Sequence, residues 1–558
     1  MNFHKFLFTA SMDKMKKILI VLLMVTKCAH GKDPPEKHTS KTGLAPSESH
    51  YKILMLLPVS TPSHRIIFLS LAKGLADRGH KVVMLTNNNS SDDRLVTENI
   101  YEFSHGVEEL HQVNVEDLAE MKWGVSDDHS ARLLEVFDRA MNKLYASAEI
   151  NELYRKRKRF DLIILHAEHN EVMFPFVHEM NFITIAPEGL DYRQSAQLGN
   201  PLNPAYVPFV YSTKASPMGL LQRVWNAWNH LAFSLYWDVY LPVPSFQKML
   251  LSKFPNLPPL LDIEKNQSLT LSNSHFSIGT PTPLLPSQVE IAGMQCYPMA
   301  EPLPHDLQEW IDESSNAGVI YVNLGSFAPS SSMNEDYLPI LLEAFNRIRQ
   351  RVIWRYEDLP NLPKNVITRS WCPQQDILGH PKIKAFLTHG GILSSQEAVY
   401  HGKPLLAIPS TLEQTRNSKT IVEKGVGISI PKNELISADQ IVDGILDLLQ
   451  DNSKYQKNMA ELSASFRDQI HTPLERAIFW TEYAIRNPGV AALKSPAAQL
   501  SWREFLLLDI IAIFLVIIFL IPYLVSFIVK RCFAFVMRKL FRREEMFSLP
   551  TSAKQKMN

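Results

Sequence analysis

The chain has 558 residues, 46% of them hydrophobic and 20% charged, which suffices for two domains with large cores and further segments besides. Lys+Arg and Asp+Glu are equal at 57 each, so no global field draws the protein to nucleic acid or to acidic surfaces. Partners have to be read from local sites.

The amino end carries Lys14, Lys16 and Lys17, an apolar run from Ile18 to Val25, then the small residues Ala29 and Gly31. That order predicts a secretory signal over 1–31, its apolar run too short to span a bilayer. Residues 32–49 are polar, rich in Pro, Ser, Lys and His, and read as a linker. Tyr51 to Leu57 is a run of buried-strand type. A Pro/Ser/Thr loop follows, then helical spacing from Ile66 to Gly79 and another strand from Lys81 to Thr86. The same grammar returns at Phe160 to Leu165 and Phe182 to Ala186. Between Pro201 and Pro259 the texture turns aromatic and Pro-rich, which suits a variable, greasy pocket wall.

A second alternating half starts near residue 286, with strands expected at Val319 to Asn323, Val352 to Arg355, Val366 to Arg369, Ala385 to Thr388 and Pro404 to Ile408. Strands alternating with helices imply parallel sheets covered on both faces. The expected fold is α/β: two doubly wound, Rossmann-like domains facing each other across a cleft, over 50–285 and 286–487. The second includes closing helices from Ser437 to Arg486. Ligands in such folds sit beyond the carboxyl ends of the strands.

A membrane-proximal segment, 488–504, leads to Phe505 to Val529, which is almost wholly apolar and long enough to cross about 30 Å of hydrocarbon. Lys530, Arg531, Arg538, Lys539, Arg542 and Arg543 follow at once, as the positive-inside tendency wants. The tail 530–558 is then cytosolic and the body luminal. Lys554 and Lys556 near the extreme end resemble a dilysine retrieval signal of the endoplasmic reticulum membrane. Of four cysteines, Cys28 lies in the signal and Cys532 at the cytosolic membrane face, leaving Cys296 and Cys372 in the lumen, and nothing has metal-ligand spacing. Asn88, Asn89 and Asn266 each begin an N-glycosylation triplet.

Chemistry concentrates in Trp371 to Gln414, WCPQQDILGHPKIKAFLTHGGILSSQEAVYHGKPLLAIPSTLEQ. A strand ending at Thr388 delivers His389-Gly390-Gly391, and a helix begins near Ile392 to Ser394. Glycines allow close backbone approach, and free amides at a helix start suit a diphosphate. His389 and Ser394 add donors. Glu397, a turn further on, can accept two neighbouring hydroxyls such as a ribose diol.

This stretch resembles the signature of the UDP-glycosyltransferases, the family of animal glucuronosyl- and glucosyltransferases. The spacing is Trp-x-Pro-Gln, Leu-x-His-Pro, Thr-His-Gly-Gly, Ser-x-x-Glu, Gly-x-Pro and acid-Gln. The similarity runs from about residue 51 through the membrane span. It looks most like insect members in Gly199-Asn200-Pro201, Tyr206-Val207-Pro208 and Asn273-Ser274-His275-Phe276. The resemblance implies a GT-B fold and metal-free, inverting transfer of a hexose, glucose more than glucuronate, to a hydroxyl of a small lipophilic acceptor. Conjugation of detoxification, hormone or pigment type would be the setting. UDP-glucose or UDP-glucuronate is the implied donor, no cofactor is implied, and a homo-oligomer stays open.

Carried over residue by residue, Trp371 stacks on uracil and Gln374 bonds the nucleoside. Ser326, His389, Gly391 and Ser394 face the diphosphate, Glu397 the ribose, and Glu413 and Gln414 the sugar hydroxyls. The general base is His64, expected in the loop after the first strand and over the cleft.

Three departures from the family pattern stand out. His166 follows the strand from Phe160 where an acidic partner for His64 is implied. Either Glu168 substitutes, or the base works without an acid, or the chain is a catalytically impaired UDP-sugar-binding relative. Asp161 is left unassigned because it opens the strand at the other end. Glu413 stands where many members have Asp, and Leu393 where many have a polar residue near the phosphates.

Overall fold

The computed structural model describes residues 43–87, 99–104, 107, 127–167, 171–209, 212, 217–240, 242–298, 302–325, 337–357, 359–435, 437–450 and 453–548. The expected signal, Asn88, Asn89, Glu168, Ser326 and the terminal lysines lie outside the described residues. The chain divides into two compact units, Met1–Ser495 and Pro496–Asn558.

The first unit holds two parallel sheets. One comprises β1 (Lys52–Leu56), β2 (Lys81–Thr86), β3 (Ile100–Ser104), β4 (Leu162–His166), β5 (Phe182–Ala186), β6 (Thr270–Ser272) and β7 (Gln288–Glu290), in the order β3-β2-β1-β4-β5-β6-β7. The other comprises β8 (Val319–Asn323), β9 (Arg351–Arg355), β10 (Val366–Arg369), β11 (Ile383–Thr388), β12 (Leu405–Ala407) and β13 (Gly427–Ser429), in the order β10-β9-β8-β11-β12-β13. Each sheet thus reverses direction once, between β1 and β4 and between β8 and β11. Crevices open at such switch points beyond the carboxyl ends of the strands. β4, β5 and β8 are buried at every position, which is why they read as unbroken apolar runs and not as alternating ones.

Several boundaries differ from the sequence expectation. The first helix is Pro62–Asp77 and starts four residues ahead of Ile66, because the Thr61 hydroxyl caps it by accepting from the His64 backbone N–H at 3.1 Å and Pro62 opens its first turn. His64 therefore sits in the first helical turn and not in a loop. β7 belongs to the first sheet, so the division expected at 285 falls beyond residue 290.

The closing helix Pro473–Arg486, expected with the second domain, packs on helix Pro62–Asp77 of the first half. The approach is close at Gly74, where a Cβ would meet Ile478 Cδ1 at 2.7 Å and Leu474 Cδ1 at 3.1 Å, so a larger residue would push those side chains aside. Ala477, Ile478, Ala484 and Ile485 join the core of the first sheet. Glu482 locks the seam: it accepts from Arg78 Nε at 2.6 Å and pairs with His80 Nε2 at 2.9 Å.

The second unit contains the helix Leu508–Ser548, longer than the expected 505–529 span and continuous through Pro522. Leu508–Arg543 is apolar and long enough to cross a membrane, with mean hydropathy 3.0 in its most apolar window.

Candidate active site

Every loop that carries a predicted donor residue leaves the carboxyl end of a strand in the second sheet. β10 ends at Arg369 and is followed by Trp371, which is half exposed, and by helix Gln374–Gly379. β11 ends at Thr388 and runs through His389-Gly390-Gly391 into helix Ile392–Tyr400. β8 ends at Asn323, just before Leu324 and Gly325.

Gln374 ties these loops together. Its carbonyl oxygen accepts from Asn323 Nδ2 at 2.6 Å, and its Nε2 donates to Glu397 Oε2 at 2.7 Å and to Ser394 Oγ at 3.1 Å. Glu397 is buried, and burial raises its pKa to about 7 against the opposing hydrogen bonds from Gln374 and Gln295. His389 is partly buried. Desolvation brings it down to about 4, against a backbone hydrogen bond at Asn323 and with help from the Arg355 charge, so the ring is neutral at pH 7. The glycines are sterically required. Gly390 has φ +87, where a Cβ would meet Ser418 Oγ at 2.5 Å, and a Cβ on Gly391 would meet His389 Nε2 at 2.6 Å.

Glu413 and Gln414 open helix Leu412–Glu423. Gln414 Oε1 closes the capping box, accepting from Ser410 N–H at 2.9 Å and from Thr411 N–H at 3.4 Å, so that oxygen already has donors. Glu413 accepts from Asn417 Nδ2 and its pKa is raised by burial, then by the nearby charge of Glu188. Leu393 does not line the phosphate side: it is buried in the core cluster of the first sheet and so stitches the two halves together. A nonpolar residue is what that contact needs.

Across the cleft, His64 and His166 flank the β1/β4 switch point. His64 Nδ1 lies 3.0 Å from His166 Nε2, and the rings stack with centroids 5.1 Å apart. On the other side of His64, Nε2 lies 4.0 Å from Glu188 Oε1. Glu188 was not singled out in the sequence. It follows β5 directly after Pro187, and its position after a buried strand is the one signal that could have flagged it. Burial raises its pKa, Arg416 lowers it and Asp191 raises it. Asp161 accepts from the Lys52 backbone N–H at 2.7 Å, at the amino end of β1 and β4, opposite the end where His64 lies.

Two cavities of about 260 Å³ each meet at Glu188 and Arg416. One is walled by His230 and Phe233 of helix Leu220–Leu235, by Trp237, and by Tyr192 and Pro208, as the aromatic texture after Pro201 led one to expect. It is not purely greasy. Arg193 lines it while forked onto Glu264 at 2.8 and 2.9 Å and bonded to Asp238 at 3.0 Å, and Trp237 Nε1 donates to Glu171 at 2.9 Å. The second cavity runs along Ile392, Ser395 and Asn417 of the nucleotide half. Among the described residues no group of three or more His, Cys, Asp or Glu could hold a metal ion, and Cys296 and Cys372 are free thiols.

A half with glycine loops and a carboxylate at helix starts, facing a half with a buried histidine and an aromatic cavity, defines a glycosyltransferase of the two-domain, nucleotide-sugar-dependent class. The fold agrees: the calicheamicin glycosyltransferase CalG4 superposes with TM-score 0.54 at 18% identity, over 79% of this chain and 99% of that one. A UDP-glucosyltransferase from Polygonum tinctorium capable of glucosylating indoxyl gives TM-score 0.51 at 16% identity, over 79% and 100%.

Residues 52–546 match the family model for UDP-glucoronosyl and UDP-glucosyl transferase, and the chain belongs to that family. It is 33% identical to UDP-glucosyltransferase 2 of Dactylopius coccus over 488 residues, 86% of this chain and 92% of that protein. Human UDP-glucuronosyltransferase 2B15 is 28% identical over 86% of this chain and 92% of its own length. Human 2-hydroxyacylsphingosine 1-beta-galactosyltransferase is 29% identical over 88% and 89%. The protein is thus a UDP-glycosyltransferase that uses the UDP-sugar as donor and needs no cofactor.

Proposed function

We propose that the enzyme transfers glucose from UDP-glucose to a hydroxyl of a small lipophilic acceptor, with inversion at the anomeric carbon. The observation that carries this reading is the bonded set Asn323–Gln374–Glu397 beside His389-Gly390-Gly391, opposite His64. Trp371 stacks on the uracil, Gln374 bonds the nucleoside and Glu397 accepts the ribose hydroxyls. Amides at the start of helix Ile392–Tyr400, with Ser394, His389 and Ser326, hold the diphosphate as charge develops on it. His64 removes the acceptor proton. Glu413 and Gln414 bond the sugar hydroxyls.

Glucose is preferred to glucuronate on charge. Around the sugar end, burial raises the pKa of both Glu188 and Glu413 in spite of the Arg416 charge, so a uronate would bring a further acid to a place that already disfavours negative charge. The relative named UDP-glucosyltransferase 2 agrees with that preference. The acceptor occupies the cavity of Tyr192, Phe233 and Trp237, whose aromatic walls favour an apolar body. The apolar helix Leu508–Arg543 anchors the protein once through the endoplasmic reticulum membrane, with the body luminal and the basic tail cytosolic.

Microsomes carrying the protein, given radiolabelled UDP-glucose and separately UDP-glucuronate over a panel of phenols and hydroxylated lipids, test this. Transfer from UDP-glucose above that of a His64→Ala control is expected. Transfer from UDP-glucuronate alone would reverse the donor assignment, and UDP binding without transfer would remove His64 from its role.

A further inference from the structure

Helix Leu220–Leu235 is turned inside out. Its polar side chains face the protein: Asn226 and His230 are 3% and 1% exposed. Asn226 Oδ1 accepts from the Phe209 N–H at 2.7 Å, and its Nδ2 donates to the carbonyls of Pro204 at 2.7 Å and Val207 at 2.8 Å. His230 Nε2 lies 3.2 Å from the same Val207 carbonyl. A rotation of the helix would strand these buried groups, so its facing is fixed.

The apolar side chains point the other way. Leu221, Val224, Trp225, Trp228, Leu231 and Leu235 are 53–82% exposed. At about 100° per residue they share an arc of about 120°, with Asn226 and His230 on the opposite side. Val239 and Tyr240 carry the exposed surface beyond the end of the helix. Single exposed leucines need no explanation, but a contiguous apolar stripe turned away from the core marks a contact surface.

Three observations name the occupant as a lipid surface. The stripe sets tryptophans among leucines, and an indole suits the boundary between head groups and acyl chains. Between Leu220 and Leu235 the one permanently charged residue is Arg223, an exposed cation that suits lipid phosphates. The third is reach. The chain from Ser495 to Leu508 covers about 45 Å at most when fully extended, so a bilayer crossed by Leu508–Arg543 stays close to the first unit. That tether gives the stripe a high effective concentration of membrane.

We propose that helix Leu220–Leu235 is a second membrane contact, lying in the plane of the bilayer surface with its Trp and Leu stripe sunk about 5–10 Å into the boundary of head groups and acyl chains. The inference rests on Leu508–Arg543 crossing the membrane. It also gives the acceptor cavity a wall on the lipid side, because His230 and Phe233 of the inward face line that cavity. A lipophilic acceptor held in the membrane is then separated from the cavity by one helix, about 10 Å across.

The test is photolabelling of the full chain, reconstituted in phosphatidylcholine vesicles that carry a diazirine on the acyl chain, with adducts mapped by mass spectrometry. Adducts are expected both in Leu508–Arg543 and in 220–235. Trp225→Asp with Trp228→Asp should cut the yield in 220–235 about tenfold or more and leave the yield in the span unchanged. Trp225→Phe with Trp228→Phe should keep most of it. UDP-glucose affinity, set by the other half, should stay native in both variants and reports that each is folded. Adducts in the span alone would overturn the proposal and leave the anchoring intact, the stripe being covered by a second copy or by another segment of this chain. Labelling of 220–235 that the paired Asp variant does not reduce would overturn it as well. Adducts in neither segment would overturn the anchoring and the proposal with it.

Discussion

The two sheets share one strand order up to the sixth strand, yet their switch points are built for different work. Between β8 and β11 the chain turns on small residues, Gly325 at φ +113, Gly390 at φ +87 and Gly391, which lead into the start of helix Ile392–Tyr400 without side chains of their own. Between β1 and β4 it places two bulky, buried imidazoles 3.0 Å apart. On the proposed function, the first crevice holds the diphosphate and the second takes the acceptor proton. A doubly wound sheet thus supplies only the place. The residues just past the strands decide the chemistry.

If the halves divide labour in this way, variants should separate transfer from donor binding. The largest effect is expected at His64: His64→Ala should lower transfer by about 100-fold or more, with UDP-glucose affinity by calorimetry unchanged. Loss of affinity in that variant would mean the halves are not independent.

The next effect concerns the seam that joins closing helix and first half. Glu482→Gln leaves Arg78 without its charge partner and should cost about 3 kcal/mol, read as a lowered midpoint in thermal unfolding. The hydrogen bonds and charges of His80 and Arg78 hold the Glu482 pKa down to about 2 in spite of burial. Its contribution is complete above the usual carboxylate value and is lost as pH falls toward 2. Acid should therefore loosen the native seam progressively, and the Gln variant should show less of that dependence.

A smaller effect falls on the donor side alone. Glu397→Gln should weaken UDP-glucose binding about tenfold, the size of a hydrogen bond to a charged group. Since burial raises Glu397 to about 7, and its ionised form is the better acceptor for two hydroxyls, native affinity should rise from pH 6 to 8. UDP-glucose has no phosphate monoester to titrate in that range, so the slope should vanish in the variant. The smallest effect is expected for Trp371→Leu, about 1 kcal/mol of lost stacking, read as a few-fold rise in donor KM with kcat nearly kept. A fall in kcat instead would place Trp371 nearer the reacting atoms.

Much of the donor half was legible in the chain because its parts are close in sequence. Trp371 to Gln414 encodes two strand ends, two helix starts and the glycines between them, and the structure joins Gln374, Ser394 and Glu397 as the spacing implies. The acceptor half was less legible. Its partners lie far apart: His64 meets His166 across 102 positions, and Glu188, from a third strand, approaches from the other side. The start of helix Pro62–Asp77 was missed because its cap, Thr61, and Pro62 look like loop residues until the hydroxyl is seen to accept the His64 N–H.

Local pattern by itself determined two alternating α/β halves, the apolar helix and the nucleotide loops, since hydrophobic period and glycine placement act over a few residues. It did not determine that β7 and the closing helix join the first half, that Leu393 is a seam residue, or which group faces each nitrogen of His64. Those were decided by contacts between distant segments, where burial and a matched charge or donor outweigh any preference the local sequence states.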